Sequence, residues 1–145
     1  MHRERMIDVV RIGKENRSLV SDFIAASAPV QDTFRYFNNR TIAVLDQHLC
    51  TLILLSDGAV AGYGHLDKEA DTVWLGIALL PAFQGQGLGK TLLQALIAAA
   101  TDLQLSVIHL SVDKENTPAI RLYEHHGFQR ERQTDHISFY KLTIS

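Results

Sequence analysis

Gln84-Gly85-Gln86-Gly87-Leu88-Gly89-Lys90-Thr91 puts three glycines into five residues, between a run that reads as a strand and a run that reads as a long helix. Glycine lets the backbone take positive φ and lets another molecule approach without meeting a Cβ. The first N–H groups of a helix have no partner within it, and the helix dipole concentrates partial positive charge there. A glycine-rich turn feeding such a helix start is a cradle for phosphate; a tight strand-to-helix turn that uses glycine for geometry alone is the plainer alternative. The dinucleotide fingerprint G-x-G-x-x-G fails by one residue, because the spacing here is G-x-G-x-G. Gly89-Lys90-Thr91 matches the end of the nucleotide triphosphatase loop G-x-x-x-x-G-K-[ST], but Gln84 stands at its first glycine. The run Val107–Val112 ending at Asp113 can pass for the magnesium-holding strand of such proteins, yet too little chain follows Thr91 for several βαβ units of about 30 residues each.

Outward from that turn, the chain reads as alternating elements with no linker or repeat between them. Towards the N-terminus, Thr72–Leu80 is a strand stopped by Pro81, and Leu49–Leu55 and Ala59–Leu66 are two more around the hairpin signal Asp57-Gly58. The charged stretch Asp67–Asp71 reads as a turn. Ile7–Ile12 reads as a first strand, and Lys14–Ala26 carries Leu19, Val20, Phe23 and Ile24 at helical spacing. Towards the C-terminus, a leucine- and alanine-rich helix runs from Gly87 or Leu88 to Thr101, followed by a strand at Val107–Val112. A helix at Thr117–His126 stopped by Gly127 comes next, and Phe128–Arg132 and Ile137–Ile144 close the chain as an antiparallel pair. Helices packed on a mixed sheet suit this order.

The 145 residues, 46% hydrophobic and 21% charged, suit one domain spanning 1–145 with a core that needs no staple. A net charge of −2 excludes a broadly basic nucleic-acid binder. The single cysteine, Cys50, fits a reducing compartment. With no apolar run near the length of a membrane span and no evident signal peptide, the expectation is a cytoplasmic protein without a membrane role.

Two blocks together point to a family. Gln84–Gly89 resembles the acyl-CoA-binding signature Q/R-x-x-G-x-G/A of the GNAT N-acetyltransferases. Asn116-Thr117-Pro118-Ala119-Ile120-Arg121-Leu122-Tyr123-Glu124-His125-His126-Gly127-Phe128 resembles that family's downstream pattern N-x-x-A-x-x-L-Y-x-x-x-G-F, with each specified residue present. The resemblance implies an α/β (α+β) fold with a mixed, mostly antiparallel sheet of about six to seven strands flanked by helices, the acyl-CoA N-acyltransferase fold. It implies acetyl-CoA as donor, an amine as acceptor, direct transfer without an acyl-enzyme, and frequent homodimers; the residues themselves offer no metal site, so no metal is expected.

By the same resemblance, the diphosphate of coenzyme A meets the amides of Gln84, Gly85, Gln86, Gly87, Leu88, Gly89 and Lys90. The pantetheine arm pairs with strand backbone at Ile77, Ala78 and Leu79, much as an added strand would. Gly76 marks either a bulge that opens room for the arm or simple packing. Tyr123 stands where the family keeps its general acid: a phenol with a reference pKa near 10 stays protonated at neutral pH and can protonate a departing thiolate. Asn116 reads as the N-cap of the following helix, as a pantetheine contact, or as both. A backbone N–H near Ile77 is the expected oxyanion donor.

The base that accepts the amine's proton is sought where the meander strands end, among His65, Asp67, Glu69 and Asp71. His65 and Asp67 share a strand face by the period-two rule. His109 shares its face with Asp113, which equally describes a paired core histidine, and His125 and His126 lack metal-ligand spacing.

Phe34-Arg35-Tyr36-Phe37-Asn38-Asn39-Arg40 holds three aromatics and two arginines where the family binds its acceptor. Phe34, Arg35, Tyr36, Phe37 and Arg40, with Trp74, are the expected acceptor-binding residues. Stacking aromatics and anion-gripping arginines fit a small acceptor such as an amino sugar, a nucleotide-linked sugar or an amino acid; an aromatic plug on the sheet is the alternative. A protein N-terminus or lysine is a rival acceptor, and a non-catalytic acyl-CoA sensor is a rival role.

Overall fold

The computed structural model describes residues 5–27 and 48–144. The acceptor segment expected at Phe34–Arg40 lies outside them. The elements run β1 (Ile7–Arg11), a 3₁₀ turn (Lys14–Asn16), α1 (Ser18–Ala26), β2 (His48–Ser56), β3 (Ala59–Glu69) and β4 (Thr72–Leu79). A second 3₁₀ turn (Pro81–Phe83), α2 (Leu88–Asp102), β5 (Val107–Asp113), α3 (Thr117–His125), β6 (Gln129–Gln133) and β7 (Ile137–Thr143) complete them. Among the described residues the strands form one seven-stranded sheet in the order β1-β2-β3-β4-β5-β7-β6. Every neighbouring pair is antiparallel except β4 and β5. The mixed, mostly antiparallel sheet flanked by helices is the architecture expected from the element order.

The Asp57-Gly58 turn has φ of 50° and 83°, the pair of positive values that a two-residue hairpin needs. Two expectations fail at element ends. The helix expected from Lys14 is split, because Asn16 turns back to the chain before it: Gly13 N–H donates to Asn16 Oδ1 at 2.7 Å, and Asn16 Nδ2 donates to Arg11 O at 3.1 Å. The turn expected at Asp67–Asp71 is only Ala70-Asp71; Asp67, Lys68 and Glu69 stay in β3, paired with Trp74, Val73 and Thr72. The charge density there reads as a loop, but the ladder continues because Asp67 is buried on one sheet face.

Each sheet face has its own core. On one, α2 lays Leu88, Leu92, Leu93, Leu96 and Ala100 against Leu52, Leu54, Leu66, Leu75, Ile108 and Leu110, with Tyr123 and Phe128 at the far side. Each fully buried leucine there stabilises by about 2 kcal/mol relative to exposure. On the other, Val20 and Phe23 of α1 pack on Ile53, Tyr63 and Leu80, with the Phe23 and Tyr63 rings stacked at 5.8 Å. β6 sits at the sheet's edge as Gln129-Arg130-Glu131-Arg132-Gln133, exposed throughout, and such charge discourages edge-to-edge pairing.

Candidate active site

β4 and β5 are the key to the site. β4 pairs with β3 over its whole length, and β5 pairs with β7 over all seven of its residues. Between β4 and β5, however, there is one register point, Trp74 opposite His109. Beyond it the two strands diverge. Leu80 N–H donates to Ala61 O at 2.9 Å, so by strand alternation Ile77 and Leu79 direct their N–H and C=O groups away from β3 and into the gap. The carbonyl of Leu79 is met by Gln84 Nε2 at 3.3 Å, which fastens the glycine-rich loop to the end of β4. The β3–β4 register passes Gly76 without a shift, so the bulge reading of Gly76 is wrong there. Its glycine answers a close approach instead: a Cβ at Gly76 would stand 2.6 Å from Nε2 of His65.

The gap opens into a cleft of about 1100 Å³. One wall is the end of β4 and the loop, with Ile77, Ala78, Leu79, Gln84, Gly85, Gly87, Gly89 and Lys90. The other is the start of α3, with Asn116, Pro118, Ala119, Leu122 and Tyr123. Gly85 and Gly87 have φ of 75° and 81°, and Gly87 is the left-handed residue at which α2 begins. No side chain caps that helix start. Thr91 N–H makes the first helical bond, to Gly87 O at 3.3 Å, so the N–H groups just before it are orphans of the helix end. Two expected loop residues do not line the cleft with their side chains. Gln86 turns back to Ala82 O at 3.1 Å and receives Arg5 on its carbonyl oxygen, while Leu88 is buried in the core.

On the facing wall, Asn116 Oδ1 accepts from Ala119 N–H at 3.3 Å, the N-cap role expected of it. Gly127 ends α3 at φ 93°. Tyr123 is 8% exposed, its ring 5.8 Å from that of Phe128. Burial pushes its pKa up to about 12, so the phenol holds its proton at neutral pH. Tyr123 lines the cleft, and among the described residues no fully buried side-chain oxygen or nitrogen lacks a partner. Tyr140, by contrast, is committed: its hydroxyl donates to Glu124 Oε2 at 3.0 Å.

The cleft also has walls that sequence reasoning missed, Asp113-Lys114-Glu115 after β5 and Asp135-His136-Ile137 before β7. Lys114 N–H donates to His136 O at 2.9 Å and ties the two together. Only the first was discoverable, because ligands of open α/β sheets gather at the carboxyl ends of strands.

The remaining candidates lie on the α1 face of the sheet. His65 and Asp67 are buried there, 4% and 6% exposed. Glu69, opposite Thr72, stands at the exposed end of β3, with Asp71 in the turn beyond it. Trp74 packs against His109 at 5.6 Å and Phe139 at 6.3 Å between ring centres. His109 pairs with Glu131 at 2.9 Å rather than with Asp113. His126 Nδ1 lies 2.8 Å from Leu122 O, and the rings of His125 and His126 diverge by 72°. Among the described residues no group of His, Cys, Asp and Glu could hold a metal ion. Cys50 is buried in the core, and desolvation pushes its thiol up against a smaller lowering by the Arg11 guanidinium. Burial and a raised thiol pKa are the setting of an unreactive, structural cysteine.

A diverging strand pair, an uncapped helix start behind two left-handed glycines and the cleft they share with α3 fit an acyl-coenzyme A. The model of the acetyltransferase (GNAT) family matches residues 16–128. The chain belongs to the GNAT acetyltransferase family. As a GNAT enzyme it is an acetyl-CoA-dependent N-acetyltransferase, whose donor supplies an activated acetyl thioester. The spermine/spermidine N(1)-acetyltransferase of Bacillus subtilis (strain 168) is 27% identical over 143 residues, covering 89% of this chain and 91% of its own. The ribosomal-protein-S18-alanine N-acetyltransferase of Escherichia coli superposes with a TM-score of 0.72 at 25% identity, over 97% of this chain and 95% of its own. The yncA protein of Salmonella typhimurium, solved with its cofactor acetyl-CoA, superposes with a TM-score of 0.77 at 20% identity, over 96% and 94%. Among the described residues no helix is long and apolar enough to cross a membrane.

Proposed function

We propose that this GNAT enzyme acetylates the primary amine of a small molecule, with the loop from Gln84 to Lys90 holding the donor's diphosphate and Tyr123 acting as general acid. The observation that carries the reading is the cleft shared by the two left-handed glycines, the outward-facing backbone of Ile77 and Leu79, and Tyr123. Backbone amides and the helix start bind the diphosphate without needing a matched cation. The N–H of Ile77 stabilises the charge that develops on the carbonyl oxygen. Tyr123 gives its proton to the departing sulfur, and its high pKa keeps that proton available throughout the neutral range. The amine's own proton goes to a group on β3, where His65, Asp67 and Glu69 are the candidates.

For the acceptor, the aromatic and arginine residues from Phe34 to Arg40, together with Trp74, favour an amino sugar, a nucleotide-linked sugar or an amino acid. A second reading, a polyamine, is supported by the full-length similarity to the spermine/spermidine enzyme. A panel of these amines, with a protein N-terminal peptide and a lysine peptide as rivals, read by release of the coenzyme A thiol, decides among them. Saturable turnover confined to one small-molecule class is the expected result. Turnover of peptides alone overturns the small-molecule reading, and acetyl-CoA binding with no turnover of any amine supports a sensor instead.

A further inference from the structure

α3 is short, nine residues from Thr117 to His125, and most of its hydrogen bonds stay within the helix and its caps. Asn116 Oδ1 takes the Ala119 N–H, His126 Nδ1 lies 2.8 Å from Leu122 O, and the N–H groups of Gly127 and Phe128 return to Glu124 O and Tyr123 O. The backbone holds its N-terminal end to β5, with Asn116 N–H donating to Asp113 O at 2.9 Å. Beyond that point Ala119, Ile120, Leu122 and Tyr123 pack into the apolar core, and such packing is non-directional. One directional bond remains. Tyr140, 2% exposed in the middle of β7, donates from its hydroxyl to Glu124 Oε2 at 3.0 Å. Among the described residues this is the side-chain hydrogen bond that joins α3 to a strand. Burial, the bond itself and the charge of Glu124 push the Tyr140 phenol above its usual pKa, against a lowering by the Arg130 guanidinium. The donor therefore keeps its proton throughout the neutral range.

We infer that the Tyr140–Glu124 hydrogen bond fixes the roll of α3 about its axis and thereby aims Tyr123 into the cleft. This rests on the reading of Tyr123 as general acid. Tyr123 and Glu124 are adjacent, so they stand about 100° apart around the helix, and holding one sets the direction of the other. Tyr123 lines the cleft, whereas neither Glu124 nor Tyr140 does; the pair are positioning residues that work through their neighbour. The lever is long. A roll of about 10° moves an atom about 6 Å from the axis by about 1 Å, and a misplacement of that size can lower a rate about a hundredfold. The two attachments of α3, Asp113 at one end and Tyr140 at the other, belong to paired strands: Asp113 lies opposite Ile137, and Tyr140 opposite Leu110. Helix and strand pair therefore carry Tyr123 as one piece.

The test is turnover read by thiol release, with the amine of the panel above that reacts fastest. Tyr140→Phe keeps the ring in the core and removes only the hydroxyl. Its kcat is expected to fall about ten- to hundredfold, with KM for acetyl-CoA and for the amine within about threefold. Glu124→Ala is expected to match it. Glu124→Gln, which keeps a carbonyl oxygen for the hydroxyl, is expected to stay within about threefold of wild type. The decisive measurement is a cycle with Tyr123→Phe. In that background Tyr140→Phe is expected to change kcat by less than about twofold, because the group it aims is already gone. A merely structural role predicts the same fold loss in both backgrounds. That result, full turnover in Tyr140→Phe and Glu124→Ala, or a Glu124→Gln as slow as Glu124→Ala removes the clamp and leaves Tyr123 as the acid. Undiminished turnover in Tyr123→Phe takes down acid and clamp together. Should Tyr140→Phe fail to fold, Glu124→Ala, at an exposed position, closes the same cycle with the same two outcomes.

Discussion

The two faces of the sheet at β4 and β5 are made of different materials. The α2 side is backbone: left-handed glycines, an uncapped helix start and the edge of a strand, drawn from Ile77 to Lys90 and closed by α3. The α1 side is side chains: His65, Asp67, Trp74 and His109, brought together from three strands by register alone. The first recognises groups that every acyl-coenzyme A shares, and main-chain donors suffice for that. The second would have to recognise one amine among many, which takes side chains. On the proposed reading the molecule separates a generic donor from a particular acceptor by building them on opposite faces of one sheet.

Substitutions can break that separation or sharpen it. The largest effect is expected on α3, which closes the donor side: Tyr123→Phe lowers kcat by about a hundred- to ten-thousandfold with little change in KM for either substrate, measured by thiol release. Turnover within threefold of wild type would remove Tyr123 as the acid. The same variant has a stability signature. A phenol whose folded pKa is raised from 10 to about 12 contributes stability that is whole below pH 10 and lost as pH climbs through 12. Those two units amount to about 3 kcal/mol. Wild type is therefore expected to lose urea resistance over that window more steeply than Tyr123→Phe, and parallel curves would mean that the ring is better solvated than its burial implies.

Gly87→Ala acts on the donor wall alone. There is open space for the methyl, so the protein still folds, at a cost of about 1 kcal/mol for forcing alanine to φ 81°. Displacing the helix-start amides is expected to weaken acetyl-CoA about tenfold by calorimetry. An unchanged affinity would move the diphosphate away from this loop. Trp74→Leu acts on the other wall, where a severalfold rise in KM for the amine with donor affinity unchanged is expected, the loss of one aromatic contact being worth about 1 kcal/mol. An effect on the donor instead would show that the walls are not independent.

The same division explains what could be read from residue order. The donor wall is local: a turn, a helix start and the Asn116–Phe128 block each declare themselves within a dozen positions, because positive φ, capping and helix stops are short-range requirements. Gly76 shows the limit. Its strand and its neighbours were legible, but the reason for the glycine sits on another strand, since only the β3–β4 register puts His65 opposite it. Asp67 and Glu69 misled in the same way, their charge suggesting a turn where cross-strand pairing holds them in the ladder. His109 found its partner in Glu131, 22 residues on, which no pattern within one strand could reveal. His136 reaches the cleft from the hairpin before β7, and nothing in its own sequence neighbourhood announces that.

The lone rung between Trp74 and His109 has a mechanical consequence. It makes the sheet two panels, four strands and three, sharing a keel rather than a continuous lattice. The keel is the apolar layer beneath, where Leu52 and Leu66 of one panel and Ile108 and Leu110 of the other pack into the same cluster as the leucines of α2. Widening the slot therefore bends hydrocarbon contacts, which yield gradually, and breaks no ladder bond, which would yield all at once. A molecule arranged this way can admit a long guest and grip it again without unzipping a strand.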